Sequence, residues 1–171
     1  MTVVYKNKWL HIERIRVRRQ GKSYFMYCVA KRDIVVILPI LDKDTVILER
    51  QYRAVFGRYL YEIPAGYIED HEPPISAAIR ELEEETGYRA GRMMFVSKLA
   101  ESPGTMKLWA HFYIATGLER GRRSLDRNED ITIMKVKLSR ALQMVRSGKI
   151  VDLKTMAALS YYAQFVDKGR R

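Results

Sequence analysis

Three glutamates, Glu81, Glu84 and Glu85, stand three and four residues apart, the spacing that gathers side chains on one face of a helix. Like charges gathered in this way repel, and glutamates late in a helix also oppose its macrodipole, so the arrangement is unfavourable unless a cation offsets it. Hard divalent cations prefer oxygen ligands, and magnesium takes a few carboxylates while keeping water and substrate phosphate in its other positions. The chemistry on offer is metal-assisted work on a phosphate compound. The competing reading is a solvated acidic helix face, the usual meaning of a run of glutamates.

The map of charge bears on that choice. The 171 residues carry a formal net charge of +11, which taken alone invites a nucleic-acid partner. Residues 66–88 hold Glu69, Asp70, Glu72, Glu81, Glu83, Glu84 and Glu85 against Arg80, a local balance of −6, so the rest of the chain carries +17. An acidic patch inside a basic protein fits a cation facing a polyanionic ligand, and a small phosphate ester serves as well as nucleic acid. A composition 47% hydrophobic and 30% charged excludes a disordered tail. The longest apolar run, Ile34 to Leu41, is far shorter than the roughly 20 residues that span a bilayer, and no apolar signal segment follows Met1, so a soluble, cytoplasmic protein with no membrane partner is expected. A lone Cys28 excludes an intrachain disulfide, and no Cys/His cluster has zinc-ligand spacing.

The acidic helix needs a scaffold. β-rich stretches around Val3 to Ile12, Ile15 to Arg19 and Tyr24 to Ala30 predict strands, with a turn at Gly21. Ile34 to Leu41 and Thr45 to Leu48, separated by Asp42-Lys43-Asp44, read as the arms of a hairpin of central strands. Tyr59 to Ile63 is a further strand, broken by Pro64 and Gly66. Pro73 and Pro74 suit a helix start, Ser76 to Thr86 its body and Gly87 its stop. At 100° per residue, Ile75, Ile79, Leu82 and Thr86 fall within about 60° of one another and are expected to face the sheet, with the glutamates on a separate arc. Strands recur at Met94 to Leu99, Trp109 to Ala115 and Ile131 to Val136, with a loop over Gly117 to Arg127. Two helices close the chain, Ser139 to Ser147 and Asp152 to about Val166, the second stopped by Gly169. The order fits an α/β fold, an α/β/α sandwich with a mixed β-sheet flanked by helices.

Residues 66–88, GYIEDHEPPISAAIRELEEETGY, fill the pattern G-x5-E-x7-R-E-U-x-E-E-x-G-U, where U is bulky and apolar. Gly66, Glu72, Arg80, Glu81, Leu82, Glu84, Glu85, Gly87 and Tyr88 occupy its fixed places, and the chain thereby resembles the Nudix hydrolase family. The resemblance implies a Nudix fold over residues 1–171, with a core at 33–171 and an N-terminal antiparallel sheet at 1–32 used in forming a homodimer. It implies magnesium or manganese held by Glu81, Glu85, Glu84 as a further ligand or base, and the backbone carbonyl of Ala65. Glu72 and Arg80 would brace the loop against the helix.

Outside that box, Gln51-Tyr52-Arg53, Tyr61-Glu62-Ile63-Pro64-Ala65-Gly66 and Ser102-Pro103-Gly104 resemble the branch that hydrolyses ADP-ribose and other nucleoside diphosphate sugars. In that branch a proline lies about sixteen residues beyond the box, where Pro103 stands. An acidic loop late in the sheet supplies another metal ligand or the general base, and Glu129 in Asn128-Glu129-Asp130 is the matching residue. The catalytic candidates are therefore Glu84 and Glu129. Arg127 takes a place that is acidic in many relatives, and Thr105 to Leu108 lacks the acid often found after the Ser-Pro-Gly turn. A bidentate guanidinium suits diphosphate oxygens, which makes Arg53 the first candidate for a phosphate clamp. Trp9 and Tyr27 resemble positions that stack the nucleobase, and Tyr67, next to Gly66 within the box, is a further substrate-binding candidate. With ADP-ribose the products would be AMP and ribose 5-phosphate. Hydrolysis of GDP-mannose or a similar compound is the alternative substrate reading. An RNA-facing or regulatory module, resting on seven basic residues among the first 25, is the less favoured alternative function.

Overall fold

The structure is a computed structural model that describes residues 1–166. In chain order its first elements are strands β1 (Thr2–Lys6), β2 (His11–Arg19), β3 (Lys22–Ala30), β4 (Ile34–Pro39) and β5 (Thr45–Arg53), a 3-10 turn (Ala54–Phe56), β6 (Arg58–Glu62) and β7 (Ala65–Tyr67). Helix α1 (Pro74–Thr86) leads into β8 (Tyr88–Ala100), β9 (Met106–Lys107), β10 (Trp109–Arg120) and β11 (Ile131–Lys137). Helices α2 (Leu138–Arg146) and α3 (Leu153–Tyr161) follow, and the last runs on as a π turn (Tyr162–Val166). Gly169, the expected helix stop, lies outside the described residues.

The strands make three sheets, ordered β1-β2-β3-β9, β7-β4-β10-β8 and β11-β5-β6. The second is mixed, with β4 parallel to β10 and antiparallel to β7. Both faces of β4 are buried, which explains its unbroken apolar run. Val35 and Ile37 on one face pack with Ala77, Ala78 and Leu82 of α1, whereas Val36 and Leu38 on the other join Val46, Leu48, Ala141 and Leu159 in the main core. The sheet is thus layered between α1 and the β11-β5-β6 sheet with α2 and α3, the α/β/α arrangement anticipated.

Four local expectations change. Ile34 to Leu41 and Thr45 to Leu48 flank a polar turn, but they do not form a hairpin: β4 and β5 enter different sheets and share only the bridge Ile40 to Val46. A strand apolar on both faces needs cover on both, while β5 is buried throughout Thr45 to Glu49 and alternates only beyond, presenting Glu49, Gln51 and Arg53 on one side. On α1 the expected sheet-facing stripe is rotated. Ile75 and Ile79 are 46% and 45% exposed, and Ala77, Ala78, Leu82, Glu85 and Thr86 are buried, because the two alanines let the helix approach the sheet closely. The first strand ends at Lys6, since the Asn7 side chain accepts hydrogen bonds from the N–H groups of Trp9 and Leu10 and turns the chain. Finally, β8 begins at Tyr88 and β10 runs to Arg120, their ladder consuming the start of the expected arginine-rich loop.

Glu13 ties the N-terminal sheet together. Buried on β2, it accepts from His11 Nε2 at 3.0 Å, from Lys107 Nζ on β9 at 3.4 Å and from Cys28 Sγ on β3 at 3.8 Å. The hydrogen bond with His11 comes first and the charge of Lys107 after it, and together they hold the carboxyl below its ordinary value of 4.5. A depressed folded-state pKa means stability present above 4.5 and lost as pH falls through the lower folded value. Glu13→Gln should therefore destabilise at pH 7 and converge with the parent in acid, read by urea unfolding at both pH values.

Candidate active site

Helix α1 and the short strand β7 build the acidic wall of the site. Gly66 on β7 lies so close to the helix that a Cβ there would stand 2.0 Å from Cδ of Glu81. The N–H of Ala65 donates to Oε2 of Glu85 at 2.9 Å. Arg80 gathers the rest: Nε and Nη2 donate to Glu72 at 3.0 and 2.9 Å, and Nη1 donates to Glu81 at 2.7 Å and Glu84 at 3.0 Å. Nη2 also donates to the carbonyl of Tyr67 at 3.1 Å, and the N–H of Glu69 donates to Glu72 at 3.0 Å. The Glu72–Arg80 pair thus connects loop and helix. Gly87, with φ +72°, ends α1 in the left-handed region.

Opposite stands β5, whose Arg53 donates from Nε and Nη2 to the two oxygens of buried Glu62, each at 2.7 Å. Glu129 approaches from the loop between β10 and β11, where its carboxylate accepts from the N–H of Asp126 at 3.0 Å. That loop is anchored by Tyr59, whose hydroxyl donates to Asp130 at 2.5 Å, and by Arg123, which donates to the carbonyls of Glu85 and Ile131 at 2.7 and 2.6 Å.

These groups open onto one cleft of about 600 Å³. Ala65, Gly66, Tyr67, Arg80, Glu81, Glu84, Glu85, Glu129, Arg53 and Trp9 all line it. Glu72 stands behind Arg80. Two of the substrate-binding candidates do not line it. Tyr27 is 57% exposed on β3, within the part of the N-terminal sheet that stands away from the cleft of its own chain. Pro103 is exposed at the tip of a turn closed by the N–H of Met106 on the carbonyl of Ser102, so Glu101 and Leu108 on either side of that turn reach the cleft in its place.

The sequence reading missed Lys31, Arg32, Glu62 and Lys154 in the lining and Glu49 behind it. The available signal was period-two alternation: once β5 extends to Arg53, Glu49 falls on the face that Arg53 shares. Lys154 carries no local signature. It reaches the cleft because Asp152 caps α3, accepting from the N–H of Thr155 at 2.8 Å, and pairs with Lys154 Nζ at 2.7 Å.

Burial and mutual repulsion raise carboxyls at the acidic wall. Burial, then the charge of Glu62, pushes Glu49 up to about 8. Burial, then Glu49 and Glu81, raises Glu85 well above the ordinary carboxylate range. Glu81 is raised by burial, against the pull of Arg80. Oε1 of Glu49 has no hydrogen-bond partner among the described residues. Among the described residues no three acids, histidines or cysteines are already drawn together tightly enough to hold a metal ion, because Glu81 and Glu84 are turned onto Arg80 Nη1. The donor set nevertheless fits a hard divalent cation: it is all oxygen, it carries excess negative charge, and a buried carboxylate oxygen without a hydrogen-bond partner among the described residues stands behind it. Loading would require Glu81 and Glu84 to exchange Arg80 for the ion.

Residues 30–152 match the family model described as NUDIX domain. The chain belongs to the Nudix family. It is similar to the ADP-ribose pyrophosphatase of Bacillus subtilis, with 34% identity across 89% of this chain and 83% of that protein. It is also similar to the methanol dehydrogenase activator of Bacillus methanolicus, 35% identical over 77% of this chain and 76% of the relative. A third relative, the GDP-mannose pyrophosphatase of Salmonella typhimurium, is 38% identical over 74% and 70%. A crystal structure of an ADP compounds hydrolase superposes with a TM-score of 0.87 over 99% of this chain and 92% of the other, at 23% identity, a likeness of fold. The chain is a Nudix pyrophosphohydrolase. Among the described residues no helix is long and apolar enough to cross a membrane.

The Gly66–Glu81 contact yields a direct test. Gly66→Ala forces the Glu81 carboxylate aside while leaving the backbone free, so the Nudix enzyme should lose about 100-fold in kcat with its melting temperature nearly unchanged. Steady-state kinetics beside a thermal melt checks both halves.

Proposed function

We propose that the enzyme hydrolyses the diphosphate bond of ADP-ribose or a related nucleoside diphosphate sugar, using magnesium or manganese and giving a nucleoside monophosphate and a sugar phosphate. The observation that carries this reading is one cleft in which Glu81, Glu84, Glu85 and Glu129 face the bases Lys31, Arg32, Arg53 and Lys154, with Trp9 among the lining residues. A cation on the acids and a diphosphate against the bases would neutralise both. The names of the Bacillus subtilis and Salmonella relatives support the substrate class. The 38% identity to a GDP-mannose pyrophosphatase keeps that sugar nucleotide as the second substrate reading.

In this reading Glu81, Glu84, Glu85, Glu129 and the carbonyl of Ala65 hold the cation. When bound, it would polarise a phosphoryl oxygen and lower the pKa of a water. The protein supplies the rest. Arg53 orients the diphosphate, and its own orientation is set by the bidentate bond to Glu62. Trp9, 63% exposed, offers a face on which a nucleobase stacks, and Tyr67 lines the same cleft beneath the guanidinium of Arg32, 5.3 Å from its ring. Glu84 or Glu129 accepts the proton of the attacking water. Glu84 is the better hydrated of the helix acids, with its side chain 41% exposed against 13% for Glu81.

The test replaces Glu84 and Glu85 singly with Gln and follows AMP and ribose 5-phosphate released from ADP-ribose with magnesium and with manganese. A loss of about 100-fold or more in kcat is expected for each. Full metal-dependent turnover in either variant would overturn the assignment, and a parallel assay with GDP-mannose separates the two substrates.

The reading includes a homodimer in which residues 1–32 form the interface and 33–171 the catalytic core. Tyr5, Phe25 and Tyr27 are exposed on one face of the N-terminal sheet, with Val3, Tyr24 and Met26 exposed on the other. A second copy covering the first face would also bring Tyr27 toward a partner's cleft. Sedimentation velocity should give a dimer that Phe25→Asp shifts toward monomer; a monomeric parent protein would refute it.

A further inference from the structure

Glu49 is an acid beside the cleft that the chemistry above leaves unused. On β5 it shares a face with Ile47, Gln51 and Arg53, and its cross-strand partner on β6 is Glu62, so two carboxylates stand directly opposite, an unfavourable pairing. Glu62 is relieved by the two N–H groups of Arg53, each at 2.7 Å. Glu49 has no such bond: it is 1% exposed, and among the described residues its Oε1 lacks a hydrogen-bond partner. The charges that act on it are Glu62 from β6, Glu85 from α1 and Glu129 from the loop before β11, opposed by Arg123 and Arg53. Glu49 therefore stands on the sheet side of the acidic cluster. A buried acid without a partner is costly and calls for something outside the chain to offset it.

We propose that Glu49 is the inward carboxylate of the cation site, placing negative charge behind Glu85 and Glu129 so that a divalent ion is held more tightly. This rests on the reading of Glu81, Glu84, Glu85 and Glu129 as the ion's ligands. It gives Glu49 two opposite effects: burying an acid without a hydrogen-bond partner beside other acids weakens the metal-free protein, and its carboxylate strengthens the metal-loaded one. A carboxylate kept only for the fold would not couple the two.

The experiment uses the full chain and two variants, with manganese as the probe. Glu49→Gln keeps the shape and removes the charge, and Glu49→Leu matches the apolar neighbour Ile47. Thermal melts in EDTA give metal-free stability; calorimetric titration and electron paramagnetic resonance give manganese binding. Both variants are expected to melt above the parent in EDTA, to bind manganese at least about 10-fold more weakly, and to gain less from a fixed manganese concentration. Manganese affinity within about two-fold of the parent would overturn the proposal, since outer groups of a metal site ordinarily cost far more when removed. A lower metal-free melting temperature in both variants would overturn it too, by making Glu49 a structural group. If the parent itself binds no manganese, the metal-ligand reading falls first, and that outcome is distinct from the other two.

Discussion

The structure depends on holding several carboxylates close together inside the protein, against one helix. Glu85 is buried at the end of α1, and Glu81 is pressed against Gly66. Repulsion among such groups in a low-dielectric setting would expel them unless fixed donors intervened. The amide of Ala65 and the guanidinium of Arg80 are those donors, and both sit on elements placed by the same glycine-tight crossing of β7 over α1. Arg80 uses three nitrogens on three glutamates and a carbonyl, so it serves as the resident counter-charge of the wall. Its partners Glu81 and Glu84 are the groups that an ion would have to reclaim.

That constraint explains the rotation of α1. A helix that buried Ile75 and Ile79 would gain more apolar area but would carry its glutamates to solvent. Ala77 and Ala78 instead bring the backbone close to the sheet and turn Glu81 and Glu85 inward, at the cost of two half-exposed isoleucines. Apolar burial is worth roughly 25 cal/mol per Å², so leaving two isoleucines half-exposed forgoes on the order of 1–3 kcal/mol. The helix gives up some stability to keep its carboxylates on the working face.

What was legible in the sequence follows from whether the information was local. The extent of α1, its Pro-rich start, its glycine stop and the sharing of a face by Glu81, Glu84 and Glu85 are consequences of spacing within one element, and they read directly. The rotation of that helix depends on how closely a sheet approaches it, which no window of its own residues contains. The separation of β4 from β5 depends on which strands cover them, and β10 lies some seventy residues further on. Glu49 is the sharpest case. In the chain it follows an apolar run and looks like the polar end of a strand; only its pairing with β6 sets it against Glu62, and only α1 and the loop before β11 add Glu85 and Glu129.

The charge of +11 takes its meaning from the same geometry. Of the bases lining the cleft, Arg53 is already committed to Glu62, Arg80 to the helix acids and Lys154 to Asp152 and Glu101. Among the described residues neither Lys31 nor Arg32 has an acidic partner, and Arg32 rests on the ring of Tyr67. A diphosphate entering the cleft would thus meet two kinds of cation. The paired ones are rigid, their orientation fixed by the acids that hold them, and they suit recognition of a defined geometry. Lys31 and Arg32 are uncommitted and suit attraction, since an unpaired charge at a cleft raises the local concentration of a polyanion. The large positive surplus outside the acidic helix therefore need not imply a nucleic-acid footprint. Its part at the cleft is small: two bases without an acidic partner among the described residues, beside an acidic wall.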